Sequence, residues 1–569
     1  MNSKLASIDY MIFIVYFIIV STYGIYIYRR KKKASTDTKD FFLAEGSLTW
    51  WAIGASLIAS NISAEQFIGM SGNGFLVGIG VAAYEWIAAI ALIIVAVWFI
   101  PVYLKNKIFT MPQFLKTRYN EAVALIMAIF WLFLYVLVNL TSILYLGAVA
   151  INNLGGGQYF HLIVIGLAAF ALVITLGGMK VIGYTDVIQV VVLIIGGLAT
   201  TYIALTMVSQ KFGLGNDIWG GLSAMMKDSP EHFHMMLDKP GPNASQSEIK
   251  NYLMLPGIAM YFAGQWVVNL NYWGCNQYIT QRALGADLNT ARTGILFAGL
   301  LKLMMPIIVM LPGIAAFVLH KNGSLQTEMA PGGNFNADNA YSAILGFLPT
   351  GMKGLSVAAL TAAIVASLAG KANSISTIFT LDIYKKYIKR EATERHLVWT
   401  GRITILVAMV VSIILTWEDL LGIGGEGGFT FIQKYTGFIS PGIFSMFILG
   451  MFWKRTTGAA AIAGIITGFV LSVVFNNFAP EWFGHENLMY TAFEVEREGK
   501  MVWEIPFLIC MGWSFVFTML VMIGMSLAGP KINPNAFELD KKMFRVSPTI
   551  LAMIVVTLLI ITLIYVRFW

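Results

Sequence analysis

Apolar segments long enough to cross a bilayer recur along the whole chain, and that feature removes most folds from consideration. A spanning helix needs about 20 apolar residues. About fourteen stretches qualify: near 8–28, 48–70, 76–103, 122–152, 160–178, 181–208, 254–278, 292–319, 350–384, 399–416, 428–452, 457–476, 504–528 and 547–566. A chain that is 57% hydrophobic and 12% charged is too apolar for a soluble protein. The fold class expected is an all-α polytopic membrane protein of about fourteen transmembrane helices. The first segment is too long for a signal-peptide core and lacks a small-residue cleavage site, so it is read as a retained helix. Cys275 and Cys510 both fall in apolar segments, and neither is expected in a disulfide.

Lysines and arginines in short loops set the expected orientation. Arg29-Arg30-Lys31-Lys32-Lys33 follows the first segment at once, which puts that loop in the cytoplasm and the N-terminus outside. Alternation then brings Lys105, Lys107, Lys116 and Arg118, then Lys180, then Arg282 and Arg292 to the same side. Lys385, Lys386, Lys389 and Arg390, Lys454 and Arg455, and Lys531, Lys541, Lys542 and Arg545 complete it. The long loops 209–253, 321–349 and 477–503 fall outside, as does the C-terminus. The net charge of +8 is therefore an orientation signal, and no nucleic-acid partner is expected.

Two segments break the apolar rule. In WWAIGASLIASNISAEQFIGM at 50–70, Ser60, Asn61, Ser63, Glu65 and Gln66 fall within seven positions. Unsatisfied polar groups are costly in hydrocarbon, so these residues must face protein or a wet cavity, where unwound backbone is also tolerated. The plainer reading is a polar loop between two short helices. The second break, Asn269-Leu270-Asn271-Tyr272-Trp273-Gly274-Cys275-Asn276-Gln277, comes five segments later. Interrupted helices at corresponding places in two halves are the sign of an inverted-repeat transporter. The halves share no clear sequence identity, so this inference rests on spacing.

Further polar residues lie inside apolar segments: Glu85, Asn139, Lys302, Ser367, Lys371, Asn373 and Gln433. An intramembrane charge is expensive and points to function by default. Two uses are open for Glu85 and Lys302: a structural ion pair, or, with the amides, a match for several hydroxyls. Tyr84, Tyr135, Tyr272, Trp273 and Phe429 lie near these residues in sequence, with stacking on a sugar ring and core packing both open.

Rival classes find little support. Gly370-Lys371-Ala372-Asn373-Ser374 looks like part of a phosphate loop, but Val365 stands where that loop requires glycine, so no nucleotide is expected. The six histidines (His161, His232, His234, His320, His396 and His485) lie in loops or at segment ends. That argues against an intramembrane enzyme.

The strings GASLIASNISAEQFIGMSG (54–72), YEW (84–86), LYVLVNLTSILYLG (134–147) and YTDVIQV (184–190) carry a resemblance. NYWGCNQYITQR (271–282), ANSISTIFTLDIY (372–384), FIQKYTGFISPG (431–442) and GMFWKRTTG (450–458) continue it. In this order they resemble the sodium/solute symporter family, and most of all its bacterial sodium/galactose (sodium/glucose) symporters.

The resemblance implies a leucine-transporter type 5+5 inverted repeat. It divides the chain into an extra helix and loop (1–47), a first repeat (48–208), an outer loop (209–253), a second repeat (254–452) and extra C-terminal helices (453–569). It implies a hexose hydrogen-bonded by Gln66, Glu85, Asn269, Lys302 and Gln433, with Asn139 close by. Tyr272 would stack on the ring as inner gate beside Trp273. Met70, Tyr84 and Phe429 would form the outer gate, and Tyr135 is grouped with the gates. Glu65 and Asn276 would support these residues from behind. Ala88 stands where the galactose symporters carry serine, one hydroxyl fewer.

The sodium ion, the implied coupling ion, would take the carbonyls of Ala59, Ile62 and Ala363 and the hydroxyl of Ser367. Ala366 replaces a second serine of the family pattern. Asp186 matches an aspartate on the sodium exit route. Lys371 lies four residues after Ser367, on the same helix face, where relatives carry an uncharged residue. Its ammonium either occupies the cation site, making transport proton-coupled or sodium-independent, or points to the cytoplasmic vestibule and meets Asp186. The implied protein is a symporter of a bacterial inner membrane, importing a hexose with sodium by alternating access. Transport of another polyol, such as an inositol, is the alternative.

Overall fold

The computed structural model describes residues 5–29, 41–42, 48–154, 158–262, 264–330, 335–421, 423, 436–497 and 499–569. Among these, ten helices are long and apolar enough to cross a membrane, or up to eleven if one bent pair counts as a single span. Two shorter apolar helices, Phe160–Thr175 and Ser440–Phe452, fall below that length. Length and composition alone therefore do not reach the expected fourteen. The first broken segment shows why: it is divided into pieces, none of which qualifies by itself.

The chain forms two compact units, both assembled from separated stretches. The first comprises Met1–Ile79, Leu125–Phe233 and Gln277–Ile432. Its centre is the Met352–Thr377 helix, buried almost throughout. The sequence there explains this: LSVAALTAAIVASLAG is a run of small residues that lets neighbouring backbones approach closely. The Met179–Lys211, Trp50–Asn61, Phe160–Thr175 and Ser7–Arg29 helices pack on it. Asp9, on the first helix, is buried at the start of the central one. Its Oδ1 accepts hydrogen bonds from the Gly351 and Gly354 amides at 2.7 and 2.8 Å. A carboxylate is favoured at a helix N-terminus, where amides lack intrahelical acceptors.

The second unit comprises Gly80–Ala124, His234–Asn276 and Gln433–Trp569. Helices Ala83–Ile94, Gly264–Cys275, Ser440–Phe452, Gly458–Asn477 and Phe507–Leu527 make up its packed body. The long connection after Met179–Lys211 carries two short helices, Ile218–Asp228 in the first unit and Gln246–Met254 in the second. One feature departs from an all-helical chain. Phe493–Arg497 and Lys500–Glu504 pair as an antiparallel hairpin with Val495 opposite Val502, closed by Arg497 on Glu504 at 2.8 Å. Valine, phenylalanine and tryptophan, spaced by charges, suit a half-buried strand.

Arg118 corrects a reading of the sequence. It counts there as one cation of a cytoplasmic loop, yet it is fully buried. Its guanidinium donates to the carbonyls of Gly450 (2.6 Å), Trp453 (2.9 Å) and Thr456 (3.0 Å). Tyr119 donates to Met446 O at 2.6 Å. Together these bonds tie Arg118 and Tyr119 to the last turns of the Ser440–Phe452 helix and to the turn that follows it. Arg118→Ala removes a donor from Gly450 O and Thr456 O, while Trp453 O keeps the Thr456 hydroxyl at 3.1 Å, and costs about 1–3 kcal/mol for each acceptor left without a donor. Thermal unfolding of the detergent-purified variant should show a clearly lowered midpoint. An unchanged midpoint would mean water replaces the guanidinium.

Candidate functional site

The first break is built by side chains that take over from the backbone ladder. The Trp50–Asn61 helix ends at Ile62, which is extended at φ −81 and ψ 112. The Ser63 amide donates to Gln66 Oε1 at 3.2 Å, and the Glu65 amide donates to Ser63 Oγ at 3.3 Å. The chain then resumes as a π-helical turn, Glu65–Met70, and an α-helix, Ser71–Val77. Gly78 stops it at φ 84, with the His232 backbone where a β-carbon would sit. The plainer reading, a loop between two helices, is thus only partly right: two residues interrupt one buried rod. A second π-helical turn, Leu134–Leu140, carries Tyr135 and Asn139. Such turns widen a helix locally and are frequent at functional sites.

The ends of the broken helix explain the chemistry nearby. Its last carbonyls, from about Ala59 to Ile62, lie beyond the intrahelical ladder. Ser367 Oγ, on the central Met352–Thr377 helix, donates to Ser60 O at 2.7 Å. Ser367 therefore stands at the carbonyl end of the break, and Ala59, Ile62 and Ala363 are buried in the same unit. Hard oxygen atoms of this kind suit an alkali cation.

Arg282 is the residue that reading the sequence missed. It counts there as a cytoplasmic loop cation, but it is fully buried on the Gln277–Leu284 helix. Its guanidinium donates to Ser56 Oγ at 2.7 Å, to Ser60 Oγ and to Tyr278 O. Asp186 Oδ2 lies 3.9 Å from it and accepts from Ser56 Oγ. Gly370 leaves room for this group, since a β-carbon there would overlap the guanidinium and the Ser60 hydroxyl. The signal available in sequence was the cost of leaving Asp186 unpaired inside an apolar segment.

Lys371 is buried on the central helix, with its ammonium 4.8 Å from the centre of the Tyr278 ring. Glu65 and Arg282 are ionisable neighbours buried in the same unit. The suggestion that it meets Asp186 is corrected: the cation paired with Asp186 is Arg282. Tyr278 also packs edge-on against Tyr135, with ring centroids 5.6 Å apart. The Gly370-Lys371-Ala372-Asn373-Ser374 stretch lies inside a continuous buried helix and forms no loop.

Gln66, Met70, Asn139 and Lys302 are all buried in this first unit. Asn139 Nδ2 is held by Leu134 O at 3.1 Å. In the second unit, Tyr84 and Glu85 are buried on Ala83–Ile94, and Asn269, Tyr272 and Trp273 lie on Gly264–Cys275. Asn269 Nδ2 donates to Gln265 O at 2.9 Å and Gln265 Oε1 at 3.1 Å. Tyr272 and Trp273 meet edge to face, 5.2 Å between centroids. Asn276 separates the two helical pieces at the second break. Phe429 and Gln433 lie outside the described residues.

Comparison with known proteins identifies the family and the fold. Residues 41–468 match the model of the Sodium:solute symporter family. The chain belongs to that family. A sodium/glucose cotransporter of Vibrio parahaemolyticus is 41% identical over 577 residues, covering 99% of each chain. A sodium/myo-inositol cotransporter 2 of Mus musculus is 32% identical, over 82% of this chain and 69% of the relative. Among solved structures, a Na+-coupled sialic acid symporter in a substrate-bound outward-open state superposes with a TM-score of 0.75. It covers 93% of this chain and 99% of its own at 19% identity, which shows the fold. The protein is a multi-pass membrane transporter of the leucine-transporter fold, and not an enzyme.

Removing one partner of a buried ion pair costs about 3–5 kcal/mol. Arg282→Met should therefore lower the thermal midpoint sharply, and Arg282→Met combined with Asp186→Asn should recover part of the loss. Strictly additive effects in that double-mutant cycle would show that the two residues do not act as a pair.

Proposed function

We propose that this protein is a secondary symporter that imports a hexose of the glucose or galactose type, driven by an inward sodium gradient. The observation that carries the cation part is Ser367 at the carbonyl end of the broken first helix. Its hydroxyl and the carbonyls of Ala59, Ile62 and Ala363 are the ligand set for sodium. A bound cation there links the first broken helix to the central helix, and losing it releases that link. The sugar part rests on the buried amides and charges: Gln66, Glu85, Asn139, Asn269, Lys302 and Gln433 as hydroxyl partners. Tyr272 and Trp273 form the inner gate, Met70, Tyr84 and Phe429 the outer gate, and Tyr135 stands with the gates. Glu65 and Asn276 support these from behind. The full-length likeness to a sodium/glucose cotransporter supports the assignment, while likeness to inositol cotransporters keeps a polyol as the runner-up.

The proposed repeats span 48–208 and 254–452, and the proposed setting is a bacterial inner membrane with both termini outside. The membrane potential contributes about 2.3 kcal/mol per charge per 100 mV to uptake. Asp186, with Arg282, lies on the proposed sodium exit route.

A second reading concerns the coupling ion. Lys371 is a buried ammonium one helical turn beyond Ser367, and Ala366 leaves one hydroxyl fewer for sodium. In this reading the ammonium stands in for the cation, and transport is sodium-independent or proton-coupled.

Uptake into proteoliposomes separates these. Labelled glucose or galactose should accumulate at least tenfold faster with an inward sodium gradient than without, and Lys302→Ala should abolish accumulation while leaving folded protein. Uptake by Lys302→Ala at the parent rate would remove the sugar-site assignment. In the same assay Lys371→Ala should remain sodium-driven. If the parent instead ignores sodium and Lys371→Ala gains sodium dependence, the second reading replaces the first.

A further inference from the structure

A groove in the first unit has no part in the scheme above. It lies between the Ser7–Arg29, Phe160–Thr175, Met179–Lys211 and Glu394–Trp417 helices and measures about 470 Å³. That falls within the roughly 300–1,000 Å³ typical of small-molecule sites. Its walls are apolar, and Ile25, Val173, Ile403 and Leu406 are about half exposed, as lipid-facing residues are. Its two ends differ. Ser21 and Leu406 lie deeper along their helices, while Tyr28 and Arg402 lie near the helix ends followed or preceded by the basic clusters Arg29-Arg30-Lys31-Lys32-Lys33 and Lys385 to Arg390. Trp399, 59% exposed, stands one turn from Arg402, at the level where aromatic side chains mark a bilayer interface.

Arg402 is the only charged residue of this lining. It donates to the Tyr28 hydroxyl at 3.3 Å and lies 5.7 Å from the Phe41 ring. Among the described residues no carboxylate pairs with it, and its Nε is buried without an acceptor. A forked cation with spare donors at the mouth of an apolar groove is complementary to a phosphate carrying a hydrocarbon chain. Basic pockets between membrane helices at the cytoplasmic level bind anionic headgroups for the same reason. The stretch that follows Arg29 opens with four cations, Arg30 to Lys33, and then carries Asp37 and Asp40, so a carboxylate of this chain is the competing partner of Arg402, which equal retention of charged and zwitterionic lipid would reveal.

We propose that this groove holds one anionic phospholipid, its phosphate on Arg402 and Tyr28 and an acyl chain along Ile25, Val173, Ile403 and Leu406. The site is separate from the solute and cation residues and does not rest on the transported substrate.

Native mass spectrometry of the detergent-purified full chain, incubated with equimolar phosphatidylglycerol and phosphatidylcholine, tests it. The parent protein should retain phosphatidylglycerol over phosphatidylcholine by roughly fivefold, the effect of one cationic side chain near a membrane surface. Arg402→Gln should bring that ratio to about one with its thermal midpoint in lipid-free detergent unchanged. Ile403→Trp, which fills the groove and leaves the guanidinium in place, should reduce retention of both lipids. Equal retention of the two lipids by the parent protein, no retained phospholipid, or an undiminished preference in Arg402→Gln would each overturn the proposal.

Discussion

The structure turns on backbone carbonyls that have nowhere to go. A helix that stops at Asn61, inside an apolar segment, puts its last carbonyls beyond the reach of its own amides, where water is scarce. The rest of the first unit answers that need. Ser367 supplies a hydroxyl to one carbonyl from the central helix. The Ser63 and Gln66 side chains occupy amides that a continuous helix would have used. In the proposed function a sodium ion takes others of these oxygen atoms as ligands. On that proposal the defect that is expensive for folding serves coupling, since an ion bound there would change the free energy of the whole broken segment.

Around that defect sits a buried cluster of charge. Arg282 reaches from the second half of the chain to Ser56 and Ser60 of the first broken helix and to Asp186. Lys371 and Glu65 are further ionisable side chains buried in the same unit. Groups so thoroughly desolvated tolerate only arrangements in which each finds a partner, and this restricts how the first unit can rearrange. Small residues make the arrangement possible. The alanine-rich central helix admits its neighbours closely, and Gly370 admits a guanidinium beside it.

Much of this was legible in the chain, and the omissions share a cause. Both breaks were visible because polar side chains crowd into an apolar segment and cannot face lipid: five within seven positions at the first, and the amides of Asn269, Asn271, Asn276 and Gln277 at the second. Ser367 was visible as a polar residue in an apolar segment, Gln66 as part of the polar cluster at the first break, and Asp186 through the family resemblance. Arg118 and Arg282 were not, because a basic residue near a segment end is counted as a loop cation whether it faces water or caps a helix. Only the fold distinguishes the two, since their acceptors at Gly450, Trp453 and Thr456, or at Ser56 and Ser60, are hundreds of residues away. The π-helical turns at Glu65–Met70 and Leu134–Leu140 have no compositional signature, and the hairpin at 493–504 is too short to stand out from a mixed-charge loop.

The central claim is that the carbonyl end of the broken first helix is where the coupling ion acts. Amide hydrogen exchange of residues 62–70, compared in sodium and in an equal concentration of a large organic cation, tests it most directly. The account predicts that exchange across this stretch slows at least severalfold in sodium, with Ser367→Ala abolishing the difference. Identical exchange in the two cations, in protein that still transports sugar with sodium, would contradict it.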